Sequence, residues 1–304
     1  MSNHKKEAFS NFPWPSLDES GESPVWTGKG FLYKEKLCTV LCYSQNMSNW
    51  NTDLTHLHEV EAGLNHPIDV ASRKLAIKTI ARYCAESNAI VLEVGSSSGY
   101  LLSEMQRALP NINLIGSDFI KEPLSYLSKT FNSIPFIQYD LRECPLPSQS
   151  IDAVVILNVL EHIDNDEVAL SQIYRILKDG GIAHIEVPSS PRCFDIYDEY
   201  LMHFRRYRMY DLIALAKKTG FEIVKATHLA CLAYPAFYIV KRYNQRFMSL
   251  PAEKKKGMVV SSIRKTKTSK LFEVLIKAEM MLEPFIKFPF GIRCVLILKK
   301  RRKY

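Results

Sequence analysis

Three carboxylates, each closing a short apolar run, are the groups in this chain best placed to do chemistry on a ligand. Glu93 lies near the end of Ile90–Val94, and the small-residue loop Gly95-Ser96-Ser97-Ser98-Gly99 follows it. A buried strand that stops at such a loop lets a ligand lie against bare backbone, and the helix that starts next offers free N–H groups. A dinucleotide loop of the form G-x-G-x-x-G turns its amides toward a pyrophosphate, which an acid ahead of it would repel; the same acid suits a cationic ligand with an amino group. Without a ligand, the segment would serve as a plain strand–turn–helix corner. Asp118 ends the run Asn113–Asp118, 25 residues after Glu93. A carboxylate there can accept from both hydroxyls of a ribose. Asp140 ends a third run, Pro135 to Leu141.

Two histidines could move a proton near neutral pH. His162 follows the apolar run Ile151–Asn158, where it could act as a base or cap its loop. His203 precedes Phe204-Arg205-Arg206-Tyr207. It could act as a base, contact an anionic substrate with Arg205 and Arg206, or make a structural hydrogen bond. Tyr197, Tyr200 and Tyr207 could line an aromatic substrate pocket or simply pack. The seven cysteines are scattered and odd in number, which suggests reduced thiols; Cys38 and Cys42 have no second pair or histidine cluster to complete a metal set, so no metal site is expected.

Read in order, Glu93-x-Gly95-x-Ser97-x-Gly99 resembles the first motif of class I S-adenosylmethionine-dependent methyltransferases, acid-x-G-x-G-x-G, with Ser97 in place of the middle glycine. Asn158-Val159-Leu160-Glu161-His162-Ile163 looks like the signature that follows the fourth strand in many of them. His203 to Tyr207, Asp211-Leu212 and Gly220-Phe221 resemble an H-x-R-R-Y…DL…GF tail of bacterial members that act in cell-surface, lipid or secondary-metabolite pathways. The resemblance implies S-adenosyl-L-methionine as cofactor and S-adenosyl-L-homocysteine as product. It implies Glu93, Gly95, Ser97, Gly99, Asp118, Phe119, Asp140, Leu141 and Asn158 as cofactor contacts, with Asp140 accepting from the adenine amine and Leu141 covering the ring. His162 and His203 are the candidate catalytic groups, and Tyr197, Tyr200, Arg206 and Tyr207 the candidate substrate contacts. The Asn/Asp-Pro-Pro-aromatic motif of exocyclic-amine methylases is replaced by Asn158-Val159-Leu160-Glu161, which argues against such an enzyme.

Positioning these residues requires an α/β fold. Strands and helices alternate from 89 to 187, which calls for a parallel sheet covered on both faces. The expected architecture is a doubly wound, seven-stranded, mostly parallel Rossmann-like sheet. Strands six (Phe221 to His228) and seven (Gly291 to Lys300) form its antiparallel edge. The expected divisions are a loosely ordered N-terminal arm and cofactor-covering segment (1–69), the cofactor-binding core (70–229), a helical apolar and basic insertion (230–290), and the last strand with a basic tail (291–304). A strand or hairpin over Gly30 to Tyr43 is expected outside the core sheet, a short helix over His56 to Ala62, and a helix over Val70 to Cys84.

Charge divides the chain. Residues 241–304 carry 18 Lys and Arg against 4 acids, a net of +14, while residues 1–240 carry a net of −6. A basic excess suits an anionic membrane surface, an acidic carrier protein, nucleic acid or a phosphorylated substrate, or only a solvated surface. Leu229 to Val240 is almost wholly apolar and is followed by Lys241, Arg242 and Arg246. Twelve residues are too few to cross a bilayer, which takes ~20, so this segment would lie in an interface or cap a pocket. With no apolar leader at Met1 to Ser10, a cytoplasmic, peripherally membrane-associated protein is expected. The expected function is methylation of a small, lipid-linked or carrier-linked acceptor; RNA methylation and a non-catalytic scaffold are the alternatives.

Overall fold

The computed structural model describes residues 9–44, 61–84 and 88–302. In chain order its elements are β1 (Val25–Trp26), β2 (Phe31–Tyr33), β3 (Lys36–Cys38), β4 (Val40–Cys42), α1 (Pro67–Tyr83), β5 (Ile90–Val94), α2 (Tyr100–Ala108), β6 (Asn113–Asp118), α3 (Lys121–Thr130), β7 (Phe136–Gln138), β8 (Ile151–Leu157), α4 (Asp166–Ile176), β9 (Leu177–Pro188), α5 (Ile196–Tyr200), α6 (Met209–Lys218), β10 (Phe221–Leu229), α7 (Tyr234–Asn244), α8 (Ala252–Thr268), α9 (Lys270–Leu282) and β11 (Arg293–Lys300).

The main sheet runs β10-β11-β9-β8-β5-β6-β7-β4. Its central strands are apolar on both faces, as parallel strands covered by helices must be. Alternation sends neighbouring residues to opposite sides: Leu92 and Val94 of β5 join one core, and Val91 joins the other. Because the strands are parallel, the ends of β5, β6 and β8 open on the same edge, bringing Glu93, Asp118 and Asn158 together.

Several expectations are corrected. The sheet has eight strands among the described residues, because β4 pairs in parallel with β7 rather than lying outside the core. Leu41 is fully buried there, which gives the short strand its hold. The expected antiparallel edge is present: β10 and β11 pair antiparallel, and β11 sits between β9 and β10, antiparallel to both, so β10 runs with the parallel strands. The N-terminal segment from Phe9 is not loose. Phe9, Phe12, Trp14, Trp26 and Phe31 stack on the sheet, with Trp14 and Phe31 ring centroids 4.9 Å apart and the Trp14 indole donating to the Phe9 carbonyl at 3.1 Å. Burying such large rings outweighs the turn-forming Pro, Ser and Gly around them. Helix α1 begins at Pro67, which suits a first helical position. The helix expected over His56 to Ala62 lies almost wholly outside the described residues.

The insertion between β10 and β11 is α7, α8 and α9. Lys254, Lys255 and Lys256 lie on α8, and Lys255 is buried against Glu199 at 2.8 Å. Lys241 is also buried, with Nζ 2.6 Å from Asp195 and 3.5 Å from Asp198, so it is not a free surface cation.

Candidate active site

The loop after β5 makes the floor of the site. The amides of Gly95 and Ser96 donate to the Ser117 carbonyl, each at 2.9 Å, tying the loop to the end of β6. Gly95 has φ +81°, and a Cβ there would stand 2.5 Å from Val159 Cγ2; Gly99 has φ +71°, and a Cβ there would stand 2.5 Å from Leu127 Cδ2. Both positions therefore need glycine for backbone conformation and for space. Ser97, at the departure from the family pattern, takes φ +45° and accepts the same left-handed backbone with a side chain. Its amide donates to Asp118 Oδ2 and that of Ile120 to Oδ1, each at 3.0 Å, which fixes the carboxylate at the strand end. Burial pushes the Asp118 carboxyl up despite these bonds.

Glu93 is buried beneath this loop, and its Oε2 has no hydrogen-bond partner. Burial pushes its carboxyl up to about 8, with a bond from Ser96 working the other way. An orphaned buried carboxylate oxygen facing a cavity is costly unless a cationic donor completes it. Asp140 is clasped by the Arg142 backbone N–H at 2.8 Å and by its guanidinium at 2.6 to 3.1 Å. Phe119, Leu141 and Asn158 line the same cavity; Asn158 has φ +53° and its amide donates to the Glu186 carbonyl at 2.8 Å.

One cavity of about 1100 Å³ joins this floor to a wall on the far side, lined by Phe237 and Val240 of α7, Val259 and Ile263 of α8, and Phe272 and Leu275 of α9. Between floor and wall sit Glu161, His162 and His203, whose ligand atoms lie within 4.8 Å of one another. The His162 and His203 rings meet edge to face at 4.6 Å. His203 Nδ1 is 2.8 Å from Asp198 Oδ1, so a protonated Nδ1 leaves Nε2 as the free acceptor. Burial lowers the His203 pKa, and the bond to Asp198 works against that. Glu161 is buried with neither carboxylate oxygen hydrogen-bonded, and burial pushes its carboxyl up to about 8.

Behind the histidine lies an ion cluster. Asp198 also accepts from Arg206 Nε at 2.7 Å, and the Arg206 guanidinium donates to the Ser189 carbonyl at 3.0 Å. Burial opposes the charge on Asp198, but Arg206, Lys241 and His203 hold its carboxyl well below the usual range. Arg206, expected to meet substrate, is thus spent largely on the scaffold, although it still borders the cavity. Tyr197 lines the cavity with the Lys241 ammonium 4.6 Å over its ring. Tyr200 and Tyr207 fall outside the lining: Tyr200 packs against the cluster of Ile196, Val259 and Ile263, and Tyr207 donates to Asp166 at 2.8 Å.

Sequence reasoning assigned no role to Glu161, Asp198 or a second buried cluster at the back wall. There Arg293 donates to Glu186 at 2.8 Å, Ser72 at 2.7 Å and Asp69 at 2.5 Å. The available signal was a charge inside an apolar strand, Glu186 in β9 and Arg293 in β11, which is rare unless the two are paired.

A family profile described as "Methyltransferase domain" matches residues 92–185. "Uncharacterized methyltransferase YdaC" of Bacillus subtilis is 31% identical over 134 residues, which are 43% of this chain and 71% of that protein. A Mycolicibacterium smegmatis protein named "Probable S-adenosylmethionine-dependent methyltransferase" is 26% identical over 155 residues, 49% of this chain and 58% of that one. Against several other curated relatives the chain spans about half to two thirds of their length. Among solved structures, phosphoethanolamine N-methyltransferase 2 of Haemonchus contortus in complex with S-adenosyl-L-methionine superposes with a TM-score of 0.55 at 16% identity, covering 84% of this chain and 58% of that one. The fold is that of a methyltransferase domain. The chain belongs to the class I S-adenosylmethionine-dependent methyltransferases, whose cofactor is S-adenosyl-L-methionine. The residues present fit it: an orphaned buried carboxylate oxygen on Glu93, a glycine cradle that a Cβ would fill, and a strand-end acid on Asp118.

Proposed function

We propose that the chain methylates an acceptor that carries an apolar portion, using His203, oriented by Asp198, as the base. The observation that carries this is the single cavity whose polar floor and apolar wall meet at Glu161, His162 and His203. Bound cofactor would supply an activated methyl group on a sulfonium sulfur. Glu93 would hold its amino group, Asp118 the two ribose hydroxyls, and Asp140 the adenine amine with Leu141 over the ring. His203 Nε2 then takes the acceptor proton, and the buried Asp198 carboxylate stabilises the imidazolium that results. His162 packs edge-on to this ring and limits its rotation, while Tyr197 stands at the acceptor end. Glu161, kept neutral by burial near neutral pH, offers a hydrogen-bond donor toward the acceptor.

The wall supports this acceptor class. Phe237, Val240, Phe272 and Leu275 offer nothing for a charged chain to bond, and they suit a prenyl, acyl or similar tail. Distant relatives named for demethylmenaquinone methylation and for ubiquinone/menaquinone biosynthesis are compatible with that class. An RNA acceptor fits less well, because Lys241 and Lys255 of the basic region are buried in ion pairs. Methyl transfer from labelled cofactor to a lipid extract, followed by chromatography of the product, tests the reading. Label is expected in an organic-soluble product and lost in His203→Asn with cofactor binding kept. Transfer only to water-soluble products, or undiminished transfer by His203→Asn, would overturn it.

A further inference from the structure

The insertion α7–α9, which caps the cavity, carries a second feature that the cavity does not need. Helix α9 turns Leu271, Val274 and Met281 outward, at 70%, 60% and 71% exposure, and the segment after it adds Phe285 at 86%. The spacing is that of one helical face. Helix α7 exposes Ile239, Val240 and Tyr243 in the same way. These faces are held together. Glu279 of α9 accepts the backbone N–H groups of Ala230 at 2.6 Å and Leu232 at 3.0 Å just ahead of α7, and the rings of Tyr234 and Phe290 stand 5.5 Å apart. Leu232, Val240 and Leu271 are both exposed and part of the cavity lining, so the apolar surface runs unbroken to the cavity mouth.

We infer that this surface, made by α7, α9 and residues 284–290, docks the protein on an anionic lipid bilayer. Charge chooses the occupant. Residues 230–290 hold 12 Lys and Arg against 4 acids; with the buried Lys241, Lys255, Glu279 and Glu283 set aside on both sides, the surface keeps a strong basic excess. Arg242, Arg246, Lys270, Lys277 and Lys287 remain exposed around the apolar residues. A second copy of this chain would set two such cationic faces against each other, whereas anionic headgroups satisfy the cations while the apolar ridge enters the acyl boundary. No helix of the described residues is long and apolar enough to cross a membrane, which leaves docking in the interface plane as the geometry. The inference rests on the proposed acceptor only for its purpose: a tail-bearing acceptor would pass from bilayer to cavity across the mouth.

Sedimentation of the full chain with vesicles, without cofactor or acceptor, separates this from the catalytic reading. Mixed vesicles of phosphatidylcholine and phosphatidylglycerol should pellet the protein at low salt, and phosphatidylcholine alone should do so weakly. The triple variant Val274→Ser, Met281→Ser, Phe285→Ser should lose affinity on the order of 100-fold, as should Lys270→Glu, Lys277→Glu, Lys287→Glu. Neither set lines the cavity, so cofactor binding should persist in both and report intact folding. Absence of wild-type binding to anionic vesicles overturns the inference. So does retained binding by the serine variant, which would mean charge adsorption without an apolar face. A wild-type dimer in sedimentation velocity that the serine variant abolishes would give the surface to a second copy instead.

Discussion

The floor and the cap of the cavity are built by opposite means. The floor is local: Glu93, Gly95, Ser97 and Gly99 fall within seven residues, and Asp118 is fixed by amides of that loop and of Ile120. The cap is held by ion pairs between residues far apart in the chain, Asp195 with Lys241, Glu199 with Lys255 and Glu61 with Arg264. A floor made from one short segment can be kept intact while the cap is rebuilt for another acceptor. That division matches the likeness to known proteins, whose family profile ends at residue 185, before the cap begins.

The largest effect that could break this contrast is in the cap. Asp198→Ala strips Arg206, Lys241 and His203 of a shared buried partner. It should cost about 3–5 kcal/mol of stability, the scale for leaving buried charge uncompensated, as read from denaturant midpoints. A loss under about 1 kcal/mol would mean the cap is not organised by this cluster. In the floor, Asp118→Ala should weaken cofactor binding by about 2–4 kcal/mol in calorimetry, the scale of two charge-assisted hydrogen bonds. Asp140→Asn should cost less, because an amide oxygen still accepts; equal losses would show that the strand-end acids are not divided between ribose and adenine.

A pH series sharpens the comparison at the boundary. The Glu161 carboxyl is raised from 4.5 to about 8 in the folded protein. The stability tied to its neutral form is therefore present below pH 4.5 and lost as pH rises through about 8. Glu161→Gln should flatten that decline in thermal melts; parallel curves for the two proteins would assign the decline elsewhere. The smallest expected change lies at Ser97. Ser97→Gly would relieve a left-handed backbone at φ +45° and should stabilise by at most about 1 kcal/mol, while a destabilised variant would show that the hydroxyl is needed in the loop.

The parallel sheet core, the glycine loop and the three strand-end acids were legible because each is written in a few adjacent residues: an apolar run, a charge, then small residues that only a tight turn requires. The same locality made Asn158 to His162 readable as a strand exit, though not Glu161 as a buried acid. What the sequence left open depended on distance along the chain. Tyr200, Tyr207 and Arg206 looked equivalent as substrate contacts until packing sent Tyr207 to Asp166 and tied Arg206 to Asp198. Lys241 read as a surface cation because the apolar run before it resembles an interfacial segment; only the folding of α7 over α5 brings it to Asp195. The position of β11 between β9 and β10, and the recruitment of β4 to the far edge, were likewise set by pairing partners more than 60 residues away. Sequence thus determined the glycine loop of the floor, which is held by backbone conformation over a single turn. Tertiary structure alone decided the acceptor side, because a buried charge takes its role from whichever opposite charge the fold sets beside it.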